Sequence, residues 1–141
     1  MTTQDAADRQ AMIEVLARYA WGYDMADFGM LADTFTEDAT SGGVVTGTDI
    51  AWGPMKGRAE IVSVLEGIRQ GQTDQRRHNV SNIFFTAQTE TTASMTANLS
   101  LASTEGGETR LLSAGYYTMD FVRQGETWRM SRLDGVLDAP F

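Results

Sequence analysis

Two residues in this chain of 141 have types and settings suited to proton chemistry, His78 and Asp24. His78 is the sole imidazole and sits in the polar run Asp74-Gln75-Arg76-Arg77-His78-Asn79. With an unperturbed pKa of ~6.5, an imidazole takes and gives protons near neutral pH. Asp24 follows Ala20-Trp21-Gly22-Tyr23, where a helical pattern breaks among aromatics. An inward carboxylate at such a break needs a partner, and the imidazole is the readiest one. As a dyad, Asp24 would accept the proton of one ring nitrogen and leave the other as the base. The plainer readings are an edge histidine at the opening of a strand and a solvent-facing aspartate at a helix end. Spacing alone does not pair residues on different elements.

Around this pair stand further candidates. Tyr19 and Tyr23 offer phenolic donors able to polarise a substrate carbonyl or a leaving oxygen, although Tyr19 equally fits an amphipathic core. Asn82 lies four residues after His78, and a strand period of two puts both side chains on one side. It would orient the dyad or a ligand, or make a structural hydrogen bond. Arg129 and Arg132 share the last strand with odd separation, so one of them faces inward, where it would bind an anion or an enolate. Arg132 is assigned to the substrate pocket, together with Phe35, Trp52 and Tyr116. The many methionines read as gap-filling core rather than a ligand box.

Composition narrows the chemistry. With no cysteine there is no disulfide and no thiolate nucleophile, and a lone histidine argues against a zinc site. A net charge of −8 argues against nucleic acid as a partner. No phosphate-binding or dinucleotide glycine motif occurs, so no cofactor is expected. No apolar run approaches the ~18 residues of a membrane span, and the start Met1-Thr2-Thr3-Gln4-Asp5 lacks the features of a secretory signal, so the expectation is a cytoplasmic protein. Apolar content of 42% and charged content of 21% suit one soluble domain over residues 1–141.

The elements that must position the candidates follow from periodicity. Residues 5–23 read as a helix capped by Asp5 or Asp8, with Met12, Ile13, Leu16, Tyr19, Ala20 and Tyr23 at helical spacing. Asp27 caps a short second helix whose inner face carries Phe28, Leu31, Ala32 and Phe35, and Thr36-Glu37-Asp38 ends it. The stretch 40–53 is an extended pair or an active-site loop, and 58–69 is a third helix. From Arg76 the period becomes two, with Val80, Asn82 and Phe84 alternating. Strands at 91–103, 111–122 and 128–136 follow, separated by glycine turns. The pattern predicts an α+β cone, a strongly curved antiparallel or mixed sheet wrapped around three N-terminal helices, with an apolar small-molecule pocket between them.

These residues resemble the SnoaL-like branch of the nuclear-transport-factor-2-like superfamily, with its cystatin-like fold. The likeness runs through Ile13-x-x-Leu16-x-x-Tyr19, Tyr23-Asp24, Leu31-x-x-x-Phe35-x-x-Asp38-Ala39, Gly57-x-x-x-Ile61, His78-x-x-x-Asn82, Gly115-Tyr116-Tyr117 and Trp128-Arg129-Met130. That branch includes scytalone dehydratase, bile-acid 7α-dehydratase, hexachlorocyclohexane dehydrochlorinase and polyketide cyclases. The resemblance implies that Asp24 and His78 form the dyad. It sets Tyr19 where the bile-acid enzyme keeps a catalytic tyrosine, and Tyr23 where scytalone dehydratase keeps one. It also implies a homodimer or homotrimer through the outer face of the sheet. Two features depart from those enzymes: there is no second histidine, and Asn98-Leu99-Ser100-Leu101 is uncharged where the bile-acid enzyme has an acid. The function expected is a cofactor-free lyase, foremost a dehydratase, acting on a hydrophobic ring-containing molecule. The alternatives are an isomerase or cyclase starting from the same proton abstraction, a non-catalytic binding or scaffold domain, and an accessory subunit like the β subunits of ring-hydroxylating dioxygenases.

Overall fold

Thr2 starts the first helix. Its side chain accepts from the Asp5 N–H and its own N–H donates to the Asp5 carboxylate, a capping box that satisfies free donors at the helix start. In the computed structural model, which describes residues 1–141, helix α1 spans Thr3–Asp24. The cap therefore lies ahead of the expected Asp5 or Asp8, with Asp5 as the reciprocal partner. Met12, Leu16, Tyr19, Ala20 and Tyr23 fall on one side of α1 and are buried, as their spacing demands. At Gly22 a Cβ would stand 2.9 Å from the Asp27 carbonyl oxygen and 3.0 Å from the Leu31 nitrogen. Glycine there lets α2 (Phe28–Asp33), N-capped by Asp27, fold back tightly on α1.

Phe35 is not the last inward residue of α2 but the first of strand β1 (Phe35–Val45), and Thr36-Glu37-Asp38 continue that strand rather than ending a helix. The strand wins because β1 lies parallel to the last strand, whose Met130 N–H donates to the Thr34 carbonyl at 2.7 Å. With β2 (Ala51–Lys56) it forms the expected extended pair. Helix α3 (Arg58–Gln70) turns Ile61 and Leu65 inward.

Four long strands follow as an antiparallel meander: β3 (Gln75–Gln88), β4 (Thr92–Glu105), β5 (Glu108–Gln124) and β6 (Thr127–Leu137). The sheet order is β2-β1-β6-β5-β4-β3, mixed because only the β1–β6 pair is parallel. The three helices pack on its concave face, which is the α+β cone read from the sequence. Met12, Met55, Met95, Met119 and Met130 are fully buried, in keeping with a gap-filling role. In the N-terminal half of α1, Asp8 pairs with Arg123 of β5 and Met12 shares the buried cluster of Phe121 and Trp128, so this end of the cone is filled. The other end stays open.

Candidate functional site

Asp24 is the last residue of α1, and its carbonyl is claimed by neighbouring elements: Gln75 Nε2 donates to it at 2.9 Å and Arg69 Nη2 at 3.2 Å. The helix end is thereby tied to the start of β3 and the end of α3. Its carboxylate, 4% exposed, grips His78 twice. Oδ1 lies 2.6 Å from His78 Nδ1, and Oδ2 accepts the His78 backbone N–H at 2.8 Å. The double contact fixes both ring and strand, and it keeps the imidazole proton on Nδ1. Nε2 has no hydrogen-bond partner in the protein, and His78 lines the pocket at the open end. A ring nitrogen with its lone pair free and its opposite N–H anchored to a carboxylate is arranged as a general base.

Tyr23 packs its ring edge-on to the imidazole, with centroids 5.1 Å apart. Its hydroxyl accepts from Gln72 Nε2 at 2.7 Å, which leaves its own proton free to be donated. Tyr19 is buried between Phe35 and Tyr117, with ring centroids at 5.7 Å and 6.2 Å. Burial raises the pKa of Tyr23, and burial followed by the neighbouring Tyr23 raises that of Tyr19. Tyr117 is pushed up in the same way. All three phenols therefore remain donors through neutral and mildly alkaline pH.

The pocket opens to solvent, with Leu65, Leu99, Leu101, Leu133 and Leu137 among its walls. Trp52 forms part of the rim. Its indole lies over Gly43 and Gly135, where added Cβ atoms would approach the ring to 1.9 Å and 3.1 Å, so those glycines make its berth. Phe141 meets Trp52 edge-on at 5.6 Å. No cluster of acidic or imidazole side chains converges that could hold a metal ion.

Of the residues assigned from sequence, Asp24 and His78 pair, and Tyr19, Tyr23 and Trp52 line the pocket. Four others do not line it. Phe35 is wholly buried in the core behind Tyr19. Asn82 adopts a left-handed backbone (φ 51°) in a bulge of β3, so the period of two that would have turned it inward is broken and it is exposed. Tyr116 faces outward, 41% exposed, and its neighbour Tyr117 takes the inward place. Arg132 sits on the outer face, donating to Asp120 at 2.8 Å, Asp134 at 2.7 Å and Thr118 at 2.9 Å. That network holds the Asp120 carboxyl below its ordinary range. A register shift between Asp120 and Phe121 takes up Ser131, so Arg129 and Arg132 both miss the pocket despite their odd separation. Reading by type and spacing also missed Tyr117, Gln72, Phe141 and Arg76. Arg76 had a signal: it precedes His78 by two residues on one strand and so shares its face.

None of the curated protein sequences matches the chain. Among solved structures, it superposes on the β subunit of a candidate aromatic-ring-hydroxylating dioxygenase from Novosphingobium aromaticivorans, with TM-score 0.82, 19% identity and coverage of 97% of this chain and 93% of that one. A candidate scytalone dehydratase from the same organism matches with TM-score 0.79, 21% identity and coverage of 99% and 89%. A type 2 hexachlorocyclohexane dehydrochlorinase matches with TM-score 0.76, 18% identity and coverage of 96% and 88%. At these identities the likeness is one of fold. The family model described as the SnoaL-like domain matches residues 4–134, nearly the whole length, and the chain therefore belongs to the SnoaL-like family.

Proposed function

We propose that the protein is a cofactor-free lyase, foremost a dehydratase, acting on a hydrophobic ring-containing molecule held in the open end of the cone. The observation that carries this reading is the Asp24–His78 pair, 2.6 Å apart, with Nε2 unclaimed beside an apolar pocket. Nε2 removes a proton from the carbon next to a substrate carbonyl; the electron pair of that C–H bond forms the enolate carbon–carbon double bond, and the carbonyl π pair moves onto the oxygen. Tyr23 or Tyr19 donates a hydrogen bond to the oxygen that gains charge. The enolate then collapses, the β carbon–oxygen bond breaks, and the departing hydroxide takes the proton from His78. Water and an unsaturated ketone leave, and the imidazole returns neutral.

Tyr23 and Gln72 favour a hydroxylated substrate. Tyr23 has a proton to give, and Gln72 Oε1 is a buried acceptor that no protein group serves. A substrate hydroxyl, both donor and acceptor, complements the two. The test is loss of water from β-hydroxy ketones on fused rings, followed by the absorbance of the product, together with exchange of the α-proton in deuterated water. Exchange without water loss would point to an isomerase or cyclase. Tight binding with neither exchange nor water loss, unchanged in His78→Gln, would establish a binding domain instead.

Self-association as a dimer or trimer is assigned to the outer sheet face, where Val44, Phe84 and Tyr116 are exposed. Light scattering of the wild type against Tyr116→Glu checks it, and a monomeric wild type would end it.

A further inference from the structure

Arg76 supplies the single guanidinium in the pocket wall. It stands two residues before His78 on β3, so the pleat aims both side chains inward. One edge of the guanidinium is already held. Nε donates to Asp74 Oδ2 at 3.1 Å, and Asp74 also accepts from Ser103 on the adjoining strand. Burial pushes the Asp74 carboxyl up, but the hydrogen bonds from Ser103 and Arg76 outweigh that and keep it below its ordinary range, a fixed anion at neutral pH. The Phe141 ring lies 5.7 Å from the guanidinium carbon and limits where the head can swing. The side chain is 14% exposed, and neither Nη1 nor Nη2 hydrogen-bonds any protein group. The result is a permanent cation, locked by its inner edge, whose outer edge offers paired N–H groups to whatever occupies the cavity.

We infer that Arg76 is a carboxylate receptor, and that the ligand of this pocket is an apolar ring molecule carrying an anionic carboxylate. The inference rests on the pocket reading above and adds the substrate class. A carboxylate matches the spacing of paired guanidinium N–H groups, whereas a ketone or ether oxygen engages only one well. The rest of the lining is largely aliphatic and aromatic, with Leu133, Leu137 and Trp52, so ring and charge have separate berths. Because Asp74 already balances the cation, the gain comes from charge-assisted hydrogen bonds rather than from free Coulomb attraction.

Such bonds predict that wild-type protein binds 2-naphthoate at least about tenfold more tightly than 2-acetonaphthone, its neutral near-isostere, in calorimetric titration at pH 8. Arg76→Gln abolishes that preference while leaving the ketone's affinity within about twofold, and Arg76→Lys, which keeps the charge but loses the fork, restores part of it. His78→Gln retains the preference. Equal binding of the two probes by the wild type overturns the inference and leaves the pocket reading standing. A preference that survives in Arg76→Gln, or disappears in His78→Gln, overturns it as well. If neither probe binds, the pocket reading falls and the inference with it.

Discussion

Helix α1 carries a buried aspartate near each end, Asp8 at 6% exposure and Asp24 at 4%, and the two are partnered in different ways. Asp8, at the closed end, takes a hydrogen bond from Gln4 Nε2 at 2.9 Å and forms an ion pair with Arg123. Arg123 in turn lies over the Trp128 ring at 5.0 Å. A guanidinium does not release its proton at any ordinary pH, so that end can hold charge but not transfer it. Trp128 Nε1 and Arg123 Nε are even left without partners there, buried against apolar packing. At the open end, Asp24 faces an imidazole whose other nitrogen meets a cavity. The lesson is that burial of a carboxylate does not itself mark a site. What separates the two is whether the partner can pass a proton on and whether its far side is accessible.

Substitutions at the two ends should separate along that line. The largest effect is expected for His78→Gln, which removes the base: turnover falls by about 10²–10⁴ while the ligand still binds and the thermal midpoint moves little. Steady-state kinetics beside calorimetry would check this, and unchanged turnover would remove His78 from the chemistry. Asp24→Asn should also lower turnover strongly, since an amide can donate to Nδ1 and favour the tautomer that protonates Nε2. At the closed end, Arg123→Met should behave oppositely. It leaves Asp8 buried without its cation, so unfolding in urea should show a loss of about 2–4 kcal/mol, with turnover per folded molecule unchanged. A variant that lost activity but not stability there would break the comparison.

Gly22→Ala is a smaller test, placed between the two ends. Its Cβ would press on the Asp27 carbonyl and Leu31 nitrogen, which are backbone atoms that cannot step aside. A loss of about 1–3 kcal/mol is expected. Since Asp24 lies two residues on, part of the strain should reach the dyad and appear as a lower kcat with little change in KM.

The unequal legibility of the two ends has a physical basis. Helical and strand periods are local, so α1, α3 and the meander stand close to where spacing put them. The partners Asp24 and His78 lie 54 residues apart, and residue type and family likeness, not periodicity, suggested that they meet. Periodicity then failed wherever a strand gains a residue. The bulge at Asn82 and the register shift at Ser131 each move a side chain to the other face, which is why Asn82 and Arg132 were misassigned. Tyr116 and Tyr117 differ by a single step of the pleat, and only the register with β4, Ala97 opposite Tyr117, decides which is inside. Arg123 lay in a turn signal, and no local pattern tied it to Asp8.

The gentlest test uses pH. Tyr19 and Tyr117, both at the open end, have pKa values raised above the ordinary phenol value of about 10, chiefly because burial disfavours the phenolate. Below pH ~10 both are neutral whether the chain is folded or not, and the stability of the folded state is intact. As pH rises past that value, the unfolded chain releases these protons and the folded one does not. The folded state then binds more protons, so stability falls with increasing pH until the raised folded values are reached. Denaturation midpoints measured from pH 8 to 11 should therefore decline at the alkaline end. Tyr19→Phe should make the decline shallower, since one of the phenols is gone. Arg123→Met should lower the whole curve without changing its alkaline slope, because no phenol belongs to that end. An alkaline slope equally steep in Tyr19→Phe would mean that Tyr19 ionises as freely in the fold as in the unfolded chain. The open end would then be wetter than its aromatic and leucine walls imply, and the case for a dry pocket beside His78 would weaken with it.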